Sequence, residues 1–381
     1  TFHTKKSAVS MILDHLFTQT TDIGHADVPY KNGIELFGTA AIRAIIKEVA
    51  QLHDKSVFHA LDPHDIAREQ KRAALRALTF VKQKRCGHIK ARTCADRRGQ
   101  QKFYNKGKST LLAVSIEALL ISLAIDAIEG RNIATANITG AYLNANMDNF
   151  VLVKLTGDEV DLLCSLNKSY NEFVTVEKGK KALYLQLVKA LYGCIKSALL
   201  WYECFTECLK GMGFELNEYD PCVANKVING KQCTIVWYVD DNKISHEDST
   251  VVDEVITKIE ERFGKMTVKR EKQHVFAGMD IDFIEKGKVK STMKDHLEEA
   301  IEAFGEDVTM GATTPATRNL FEVKKNLTPL EPKKLNCFIT LWLNSYLLLD
   351  ELESIYNYPS LSCVLEYQKV PRKTGRNYVN Y

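Results

Sequence analysis

The chain has 381 residues, of which 45% are hydrophobic and 26% charged, with only 8 prolines and 20 glycines. Those fractions exclude a disordered, collagen-like or low-complexity protein, and the length predicts two or three structural units with a sizeable core. The formal net charge of +3 says little about partners, so the distribution of charge along the chain is more informative.

The N-terminal part of the chain carries little pattern. Residues 1–33 are polar and irregular, and because the chain starts at Thr1 rather than Met it is expected to be a fragment. Residues 34–53 have apolar side chains near helical spacing and predict a helix.

A basic block follows. From Arg68 to Lys108 the sequence has fourteen Lys or Arg and two acidic residues, a net +12 in 41 residues. Such a block fits either a solvated helix face or a surface that tracks phosphates, where each neutralised phosphate releases counterions. Aromatic residues are sparse in it, so base stacking is not predicted.

The most apolar stretch, residues 111–128, is interrupted by Glu117 and Asp126. It therefore predicts a core helix, and no membrane association is expected.

The ten cysteines contain no CxxC pair. Cys204 and Cys208 have no nearby histidine to complete a zinc site, so buried thiols in a reducing compartment are expected.

Short strands and helices are then mixed without regular βαβ alternation, which favours an α+β fold. Strands are predicted at 133–138, 150–155, 183–187, 233–239 and 276–283. Helices are predicted at 197–210, at 249–263 with Ser249 as the N-cap, and at 297–304.

The sharpest feature is Tyr238-Val239-Asp240-Asp241, which follows a strongly apolar strand and predicts a β-hairpin with two carboxylates at its tip. Adjacent carboxylates repel, so burying them calls for a counter-charge, and Mg²⁺ is the usual one where oxygen ligands converge on phosphates. Two such ions can hold the attacking and leaving oxygens of a phosphoryl displacement. An ordinary Asp-Asp turn is the alternative, because a four-residue match alone is weak.

Tyr238 to Asp241 resembles the active-site hairpin of reverse transcriptases, and the copia-type branch of LTR retrotransposons fits best. Several further segments resemble that branch's motifs in the family's order between about residues 85 and 316, and ordered motifs are far more specific than one. These segments are Lys189-Ala190-Leu191-Tyr192-Gly193, Trp201-Tyr202, Asp220-Pro221-Cys222, Arg262-Phe263-Gly264-Lys265-Met266, Phe276-Ala277-Gly278-Met279 and Thr313-Thr314-Pro315-Ala316.

The resemblance implies a polymerase palm, which is an antiparallel sheet backed by helices, together with a fingers subdomain and a partial thumb or connection. It implies an RNA-directed DNA polymerase that binds an RNA template, a DNA primer and dNTPs, and that performs nucleotidyl transfer with two Mg²⁺ ions. Asp240 is implied to be a metal-binding acid with Asp241 beside it, and Ile138 is implied to offer its backbone carbonyl to a metal.

The resemblance also implies a nucleotide site. Tyr142, with Ala141 before it, matches the aromatic residue that lies beneath the incoming sugar and excludes a 2′-hydroxyl; a core tyrosine is the alternative. Arg92 and Asp96 resemble the R-x-x-x-D pattern of the fingers, where the arginine meets the triphosphate; a solvated surface arginine is the alternative. The planar guanidinium suits that role because it grips phosphate oxygens in pairs.

Two departures from the family's pattern stand out. Asn137 occupies the position of the other metal-binding acid, which leaves two carboxylates where three are expected; Asp126, Asp148 and Asp158 are off the motif and are not expected to compensate. Loss of such a charge is expected to weaken metal binding and catalysis, by roughly 10²-fold or more in rate. Lys196 stands in place of the usual Gln after the Tyr-Gly block, where a cation could contact phosphate or the local contact could differ.

The C-terminal part shows no resemblance to an RNase H domain after about Lys334. Two interpretations are open: a reading frame that has shifted near residue 336, or a divergent thumb or connection segment. The expected division is an irregular segment 1–33, fingers and palm at 34–305, a connector at 306–335 and a tail at 336–381 that is either frameshifted, and so disordered, or a divergent thumb.

Three hypotheses remain at this point: a copia-type reverse transcriptase whose activity Asn137 reduces or abolishes, a non-catalytic nucleic-acid-binding remnant of a decayed element, and a relic that does not fold stably. The family assembles in cytoplasmic particles, but the sequence leaves the compartment, the oligomeric state, the primer and the element's transcription open.

Overall fold

A computed structural model describes residues 28–84, 87–96, 98 and 113–294. Its helices are α1 (Tyr30–Phe37), α2 (Thr39–Asp54), α3 (Arg68–Ala73), α4 (Ile116–Glu129), α5 (Asp158–Leu166), α6 (Ser197–Gly211) and α7 (Ser249–Phe263). Its strands are β1 (Val28–Pro29), β2 (Phe58–Ala60), β3 (Leu75–Gln83), β4 (Ile89–Ala95), β5 (Asn132–Asn137), β6 (Leu152–Thr156), β7 (Thr175–Glu177), β8 (Lys180–Leu187), β9 (Glu215–Leu216), β10 (Val223–Ile228), β11 (Lys231–Tyr238), β12 (Asp241–His246), β13 (Thr267–Lys269), β14 (Gln273–Phe276), β15 (Met279–Glu285) and β16 (Lys288–Thr292).

The strands form three sheets. The seven-stranded sheet has the order β1-β3-β6-β8-β2, with β4 added to β3 and β7 to β8; the six-stranded sheet has the order β13-β5-β12-β11-β10-β9; the third sheet is β14-β15-β16. Every pairing is antiparallel except β3 with β6. The predicted mixture of helices and largely antiparallel sheets is therefore confirmed for the described residues.

An aromatic cluster fills the core between the six-stranded sheet and helices α6 and α7. Phe205 lies at its centre, fully buried, with ring centroids 5.4 Å from Trp201, 5.4 Å from Trp237 and 5.9 Å from Phe263. Because α6 and α7 present these side chains on one face, both helices are fixed against the sheet that carries the acidic hairpin.

The helix predicted over 111–128 begins only at Ile116, where the Ser115 side chain accepts a hydrogen bond from the Ala118 N–H at 3.3 Å. Its interrupting acid, Asp126, is fully buried and forms an ion pair with Lys243 of β12. The Arg131 guanidinium lies 3.7 Å from the same carboxylate. This buried group anchors α4 to β12, since breaking one partner of a buried pair leaves an uncompensated charge.

Three local predictions differ from the structure. The helix predicted over 34–53 is instead two helices: α1, which begins at Tyr30, and α2, which begins at Thr39. They are separated at Gly38, whose φ of +53° favours glycine. Asp248 rather than Ser249 caps α7, because its carboxylate accepts from the Thr250 N–H at 2.9 Å. The single strand predicted over 276–283 is instead a hairpin, β14 and β15, that turns at Ala277 and Gly278.

The remaining C-terminal expectations lie outside the described residues: the helix at 297–304, the Thr313–Ala316 motif and the tail at 336–381. Within the described part of the chain, no helix combines the length and apolar character needed to cross a membrane.

Candidate active site

The acidic hairpin, β11 and β12, ends in a two-residue loop. Tyr238 pairs with Asp241, so Val239 and Asp240 form the loop itself. Val239 has a φ of +56°, a region that a β-branched residue adopts only under strain. The Trp201 indole Nε1 donates a hydrogen bond of 2.7 Å to the Val239 carbonyl. A buried side chain from α6 thus holds the strained loop in place.

The next strand of the sheet brings Asn137 to the acids. β5 pairs with β12 in a register that sets Asn137 opposite Asp241, and the Asn137 Nδ2 donates to Asp241 Oδ1 at 2.8 Å. The Ile138 N–H donates to the Asp240 carbonyl at 2.9 Å. The sheet therefore brings Asn137 and Ile138 together with Asp240 and Asp241 at one end, although about a hundred residues separate the two pairs in sequence.

The surroundings of Asp241 disfavour its charged form. Burial and the neighbouring Asp240 charge raise the pKa of Asp241 to about 6, while the hydrogen bond from Asn137 acts in the opposite direction. A carboxylate held in this way gains from a nearby positive charge.

The oxygen donors fit Mg²⁺ in type but are few. Among the described residues, no group of three or more His, Cys, Asp or Glu side chains is arranged to hold a metal ion. Two carboxylates, the Asn137 side-chain oxygen and backbone carbonyls remain, and Mg²⁺ accepts such ligands together with water.

The three off-motif acids have other contacts. Asp126 pairs with Lys243, Asp148 pairs with Lys196 at 2.6 Å, and Asp158 lies 3.4 Å from Lys31. Each of the three is therefore engaged with a lysine, and the expectation that none of them replaces the acid missing at position 137 stays a prediction.

The middle part of the basic block folds as a second hairpin, the basic hairpin, formed by β3 and β4. Lys82 pairs with Lys90 and Phe80 with Arg92, so three cations share one face of the strands. Burial, with the charges of Arg92 and Lys84, lowers the pKa of Lys82 to about 8. The alternative of a solvated helix face is therefore wrong for Leu75–Gln83 and Ile89–Ala95, although α3 carries the preceding basic residues as a helix.

Arg92 and Tyr142 are joined through a third side chain. The Arg92 guanidinium lies 4.6 Å from the Tyr192 ring centroid, and the Tyr192 and Tyr142 rings are 4.8 Å apart. Burial raises the pKa of both tyrosines, so both hydroxyls stay neutral at physiological pH. The Asp240 charge also acts on Tyr142 and Arg92, which brings the basic hairpin into the electrostatic range of the acidic one.

The turn after Tyr192 fixes this arrangement. The Ala95 N–H donates to the Tyr192 carbonyl at 2.7 Å, and Gly193 has a φ of +88°. A Cβ at position 193 would lie 2.1 Å from the Ala95 carbonyl oxygen, so only glycine allows β4 and this turn to approach each other.

The other sequence-predicted residues lie nearby in different settings. Ala141 is buried in a short 3₁₀ turn, Ala141–Asn144, that also carries Tyr142. Asp96 follows β4 and binds the Arg98 guanidinium, with 2.8 Å between Arg98 Nε and Asp96 Oδ1. Lys196 pairs with Asp148 and so already has an anionic partner.

Sequence reasoning missed three residues of the site: Tyr192, Trp201 and Lys82. Tyr192 and Trp201 belong to two of the recognised motifs. That each of these motifs contains an aromatic residue was the signal that could have identified them as site residues. Nothing in the sequence showed that Lys82 would lie buried opposite Lys90, because strand register decides that.

Comparison with protein families gives one match. The family model described as Reverse transcriptase (RNA-dependent DNA polymerase) matches residues 70–318, more than half of the chain. A search of curated proteins gives no significant match.

Proposed function

The chain belongs to the reverse transcriptase (RNA-dependent DNA polymerase) family, and from that premise we propose that it is the reverse transcriptase domain of a copia-type retrotransposon whose nucleotidyl-transfer site is weakened by Asn137. In this proposal the six-stranded sheet with its helices is the palm, and the seven-stranded sheet with the basic hairpin belongs to the fingers. An RNA template with a DNA primer and a dNTP are the substrates.

The observation that carries the proposal is the pairing of β5 with β12. It sets the residue at position 137 against Asp241, with 2.8 Å between Asn137 Nδ2 and Asp241 Oδ1. An acid at position 137 would complete a set of three carboxylates at the strand ends, and asparagine keeps the shape of that side chain but not its charge.

Asp240 and Asp241 are the residues that would hold Mg²⁺, with the Ile138 carbonyl as a further oxygen ligand. When bound, Mg²⁺ supplies charge stabilisation to the attacking and leaving oxygens of phosphoryl transfer. Two ions carry four positive charges against two carboxylates here, so we propose that the ions are held more weakly than in a site with three acids.

The chain's own residues supply the remaining functions. Arg92 and Lys82 face the triphosphate, and Arg92 grips its oxygens in pairs. Tyr142 lies beneath the sugar of the incoming nucleotide, where its ring leaves no room for a 2′-hydroxyl. Trp201 holds the Val239 carbonyl and with it the position of Asp240.

A second candidate function is non-catalytic binding of a template–primer duplex. The hydrogen bond from the Asn137 amide favours it, because that N–H occupies an oxygen of Asp241 that a metal would otherwise use. Binding would then go mainly through phosphates, would not depend on sequence and would fall steeply with salt.

The test is Mg²⁺-dependent extension of a DNA primer on an RNA template by the chain as written and by Asn137→Asp. We expect Asn137→Asp to extend primers roughly 10²-fold faster or more, since it restores a preorganised charge. Asn229→Asp is the matched control, because it makes the same change in an exposed turn of the same sheet.

Equal rates for the written chain and Asn137→Asp would show that asparagine does not weaken the site. If neither protein extends primers while both bind duplex in a salt-dependent way, the non-catalytic function replaces the catalytic one.

A further inference from the structure

Helix α2 precedes residue 70, where the family match begins, yet it contacts both parts of the candidate nucleotide site. Its polar stripe consists of Glu48 and Gln51 and continues at Lys55, the residue that follows the helix as its C-cap. These positions are three and four residues apart, so they share one face of the helix. Each of the three contacts backbone or side chains close to Arg92 or Tyr142.

The first contact is with the basic hairpin. A Glu48 carboxylate oxygen accepts a hydrogen bond from the Thr93 N–H at 2.9 Å. Thr93 follows Arg92 on β4, at the edge of the strand opposite its pairing with β3. A charged acceptor there fixes the strand from its open side, and Glu48 is near enough for its charge to act on Arg92.

The second contact is with the loop that carries Tyr142. The Lys55 Nζ donates to Asn144 Oδ1 at 2.9 Å and to the Thr139 carbonyl at 3.3 Å. Asn144 in turn donates to the Gly140 and Ala141 carbonyls, at 3.3 and 3.2 Å. Lys55 therefore holds both ends of the turn that presents Tyr142.

Gln51 also contacts the loop that carries Tyr142. Gly140 has a φ of +65°, and a Cβ on it would lie 2.5 Å from Gln51 Nε2. The Gln51 side chain thus lies against the backbone of the loop, and α2 with its C-cap reaches from β4 to the Tyr142 turn.

We propose that Glu48 and Lys55 are positioning residues, through which α2 sets the separation between Arg92 and Tyr142 and so the fit of a deoxynucleoside triphosphate between them. The proposal rests on the proposed function for the nucleotide itself. The mechanical part, coupling of β4 to the Tyr142 turn through α2, stands on the contacts alone.

The test uses the full chain with Glu48→Ala, Lys55→Met and the double variant. The first measurement is amide hydrogen exchange in segments 91–95 and 139–144. We expect each single variant to speed exchange in both segments, by roughly tenfold, because one rigid helix links them. If each variant affects only the segment that it touches, the two contacts are independent and the proposal is overturned.

The second measurement is the affinity for a fluorescent deoxynucleoside triphosphate in the presence of template–primer duplex and Mg²⁺, made with the Asn137→Asp chain as background. We expect each single variant to weaken nucleotide binding by roughly tenfold, the factor that corresponds to a lost charge-assisted hydrogen bond. The double variant should weaken it by much less than the product of the two factors, because residues acting through one element are not additive. A merely structural role would lower the unfolding midpoint and duplex affinity together with nucleotide affinity, and that pattern would contradict the proposal.

The controls are conservative and matched variants. Glu48→Gln keeps an oxygen acceptor for the Thr93 N–H and Lys55→Arg keeps a cationic donor, so both should retain slow exchange and nucleotide affinity. Lys47→Met removes a charge from the exposed face of the same helix and should change neither measurement. If the Asn137→Asp chain binds no nucleotide at all, the proposed function fails, whereas the exchange measurement still decides whether α2 couples the two segments.

Discussion

The acidic and basic hairpins are built alike and charged oppositely. Each is an antiparallel pair that presents like charges from neighbouring positions: Asp240 and Asp241 in one, and Lys82, Lys90 and Arg92 in the other. In both, burial shifts a pKa toward the neutral form, upward for Asp241 to about 6 and downward for Lys82 to about 8. In each hairpin, therefore, burial disfavours the charged form of a side chain.

The difference lies in how each hairpin is supported. The basic hairpin has Glu48 at its open edge and the Tyr192 ring against Arg92. Among the described residues, the acidic hairpin accepts hydrogen bonds from neutral donors, the Asn137 amide and the Trp201 indole, and the charges of Lys84 and Lys90 also act on Asp241. The basic hairpin is thus held by an acid and contacts an aromatic ring, whereas the acidic hairpin is held by neutral donors; under the proposed function this difference leaves the Mg²⁺ site with two carboxylates in place of three.

The largest effect is expected from a substitution at Arg92, which we propose binds the triphosphate. Arg92→Lys keeps the charge and removes the planar fork, and we expect it to raise the KM for dNTP by roughly 10²-fold in the Asn137→Asp background, since paired phosphate contacts are lost. Arg72→Lys, in the exposed part of α3, is the matched control and should leave KM unchanged. A KM near the parent value for Arg92→Lys would show that Arg92 acts only as a diffuse charge.

The next effect concerns the unfavourable charge on Asp241. Its folded pKa lies above the ordinary 3.8, so the folded state holds a proton more tightly and loses stability as pH rises through about 4 to 6. At pH 7 Asp241→Asn should therefore raise the free energy of unfolding by about 1–3 kcal/mol, and the gain should vanish near pH 4. Urea unfolding at both pH values measures it.

Two further measurements sharpen this result. Asp65→Asn changes an exposed acid outside the hairpin and should leave stability nearly unchanged at both pH values. Added Mg²⁺ should raise the unfolding midpoint of the parent chain and not that of Asp241→Asn, because a ligand stabilises only the form that binds it. A destabilised Asp241→Asn at pH 7 would mean that the carboxylate is already compensated.

The smallest effect concerns the support of the acidic loop. Trp201→Phe removes the N–H that binds the Val239 carbonyl, which should lower stability by about 1 kcal/mol in addition to the packing lost from the aromatic cluster. The loss should shrink in a Val239→Gly background, because glycine adopts the positive φ without strain. Tyr202→Phe removes one donor, the hydroxyl that binds the Pro221 carbonyl, from a half-buried position of the same helix and is the control. Equal losses in both backgrounds would show that Trp201 does not support the loop.

Much of the local structure was predictable because it depends on neighbouring residues. The apolar run ending at Tyr238, the hairpin at Asp240 and the amphipathic helix ending at Phe263 were predicted, and all three are present. The prediction over 276–283 was wrong because the same local pattern is compatible with one strand or with a hairpin. Phe276 to Phe283 alternates as a strand does, but Gly278 permits the chain to turn, and packing decides between the two.

The sequence by itself determined the family, the acidic tip, the excess of cations before it and the asparagine where an acid is expected. Only the tertiary structure decided which of these meet. Asn137 and Asp241 are 104 positions apart, Lys55 and Asn144 are 89 apart, and Glu48 and Thr93 are 45 apart. Periodicity reports which face of its own element a side chain occupies, whereas these contacts depend on strand register and helix packing between elements, which no local pattern encodes.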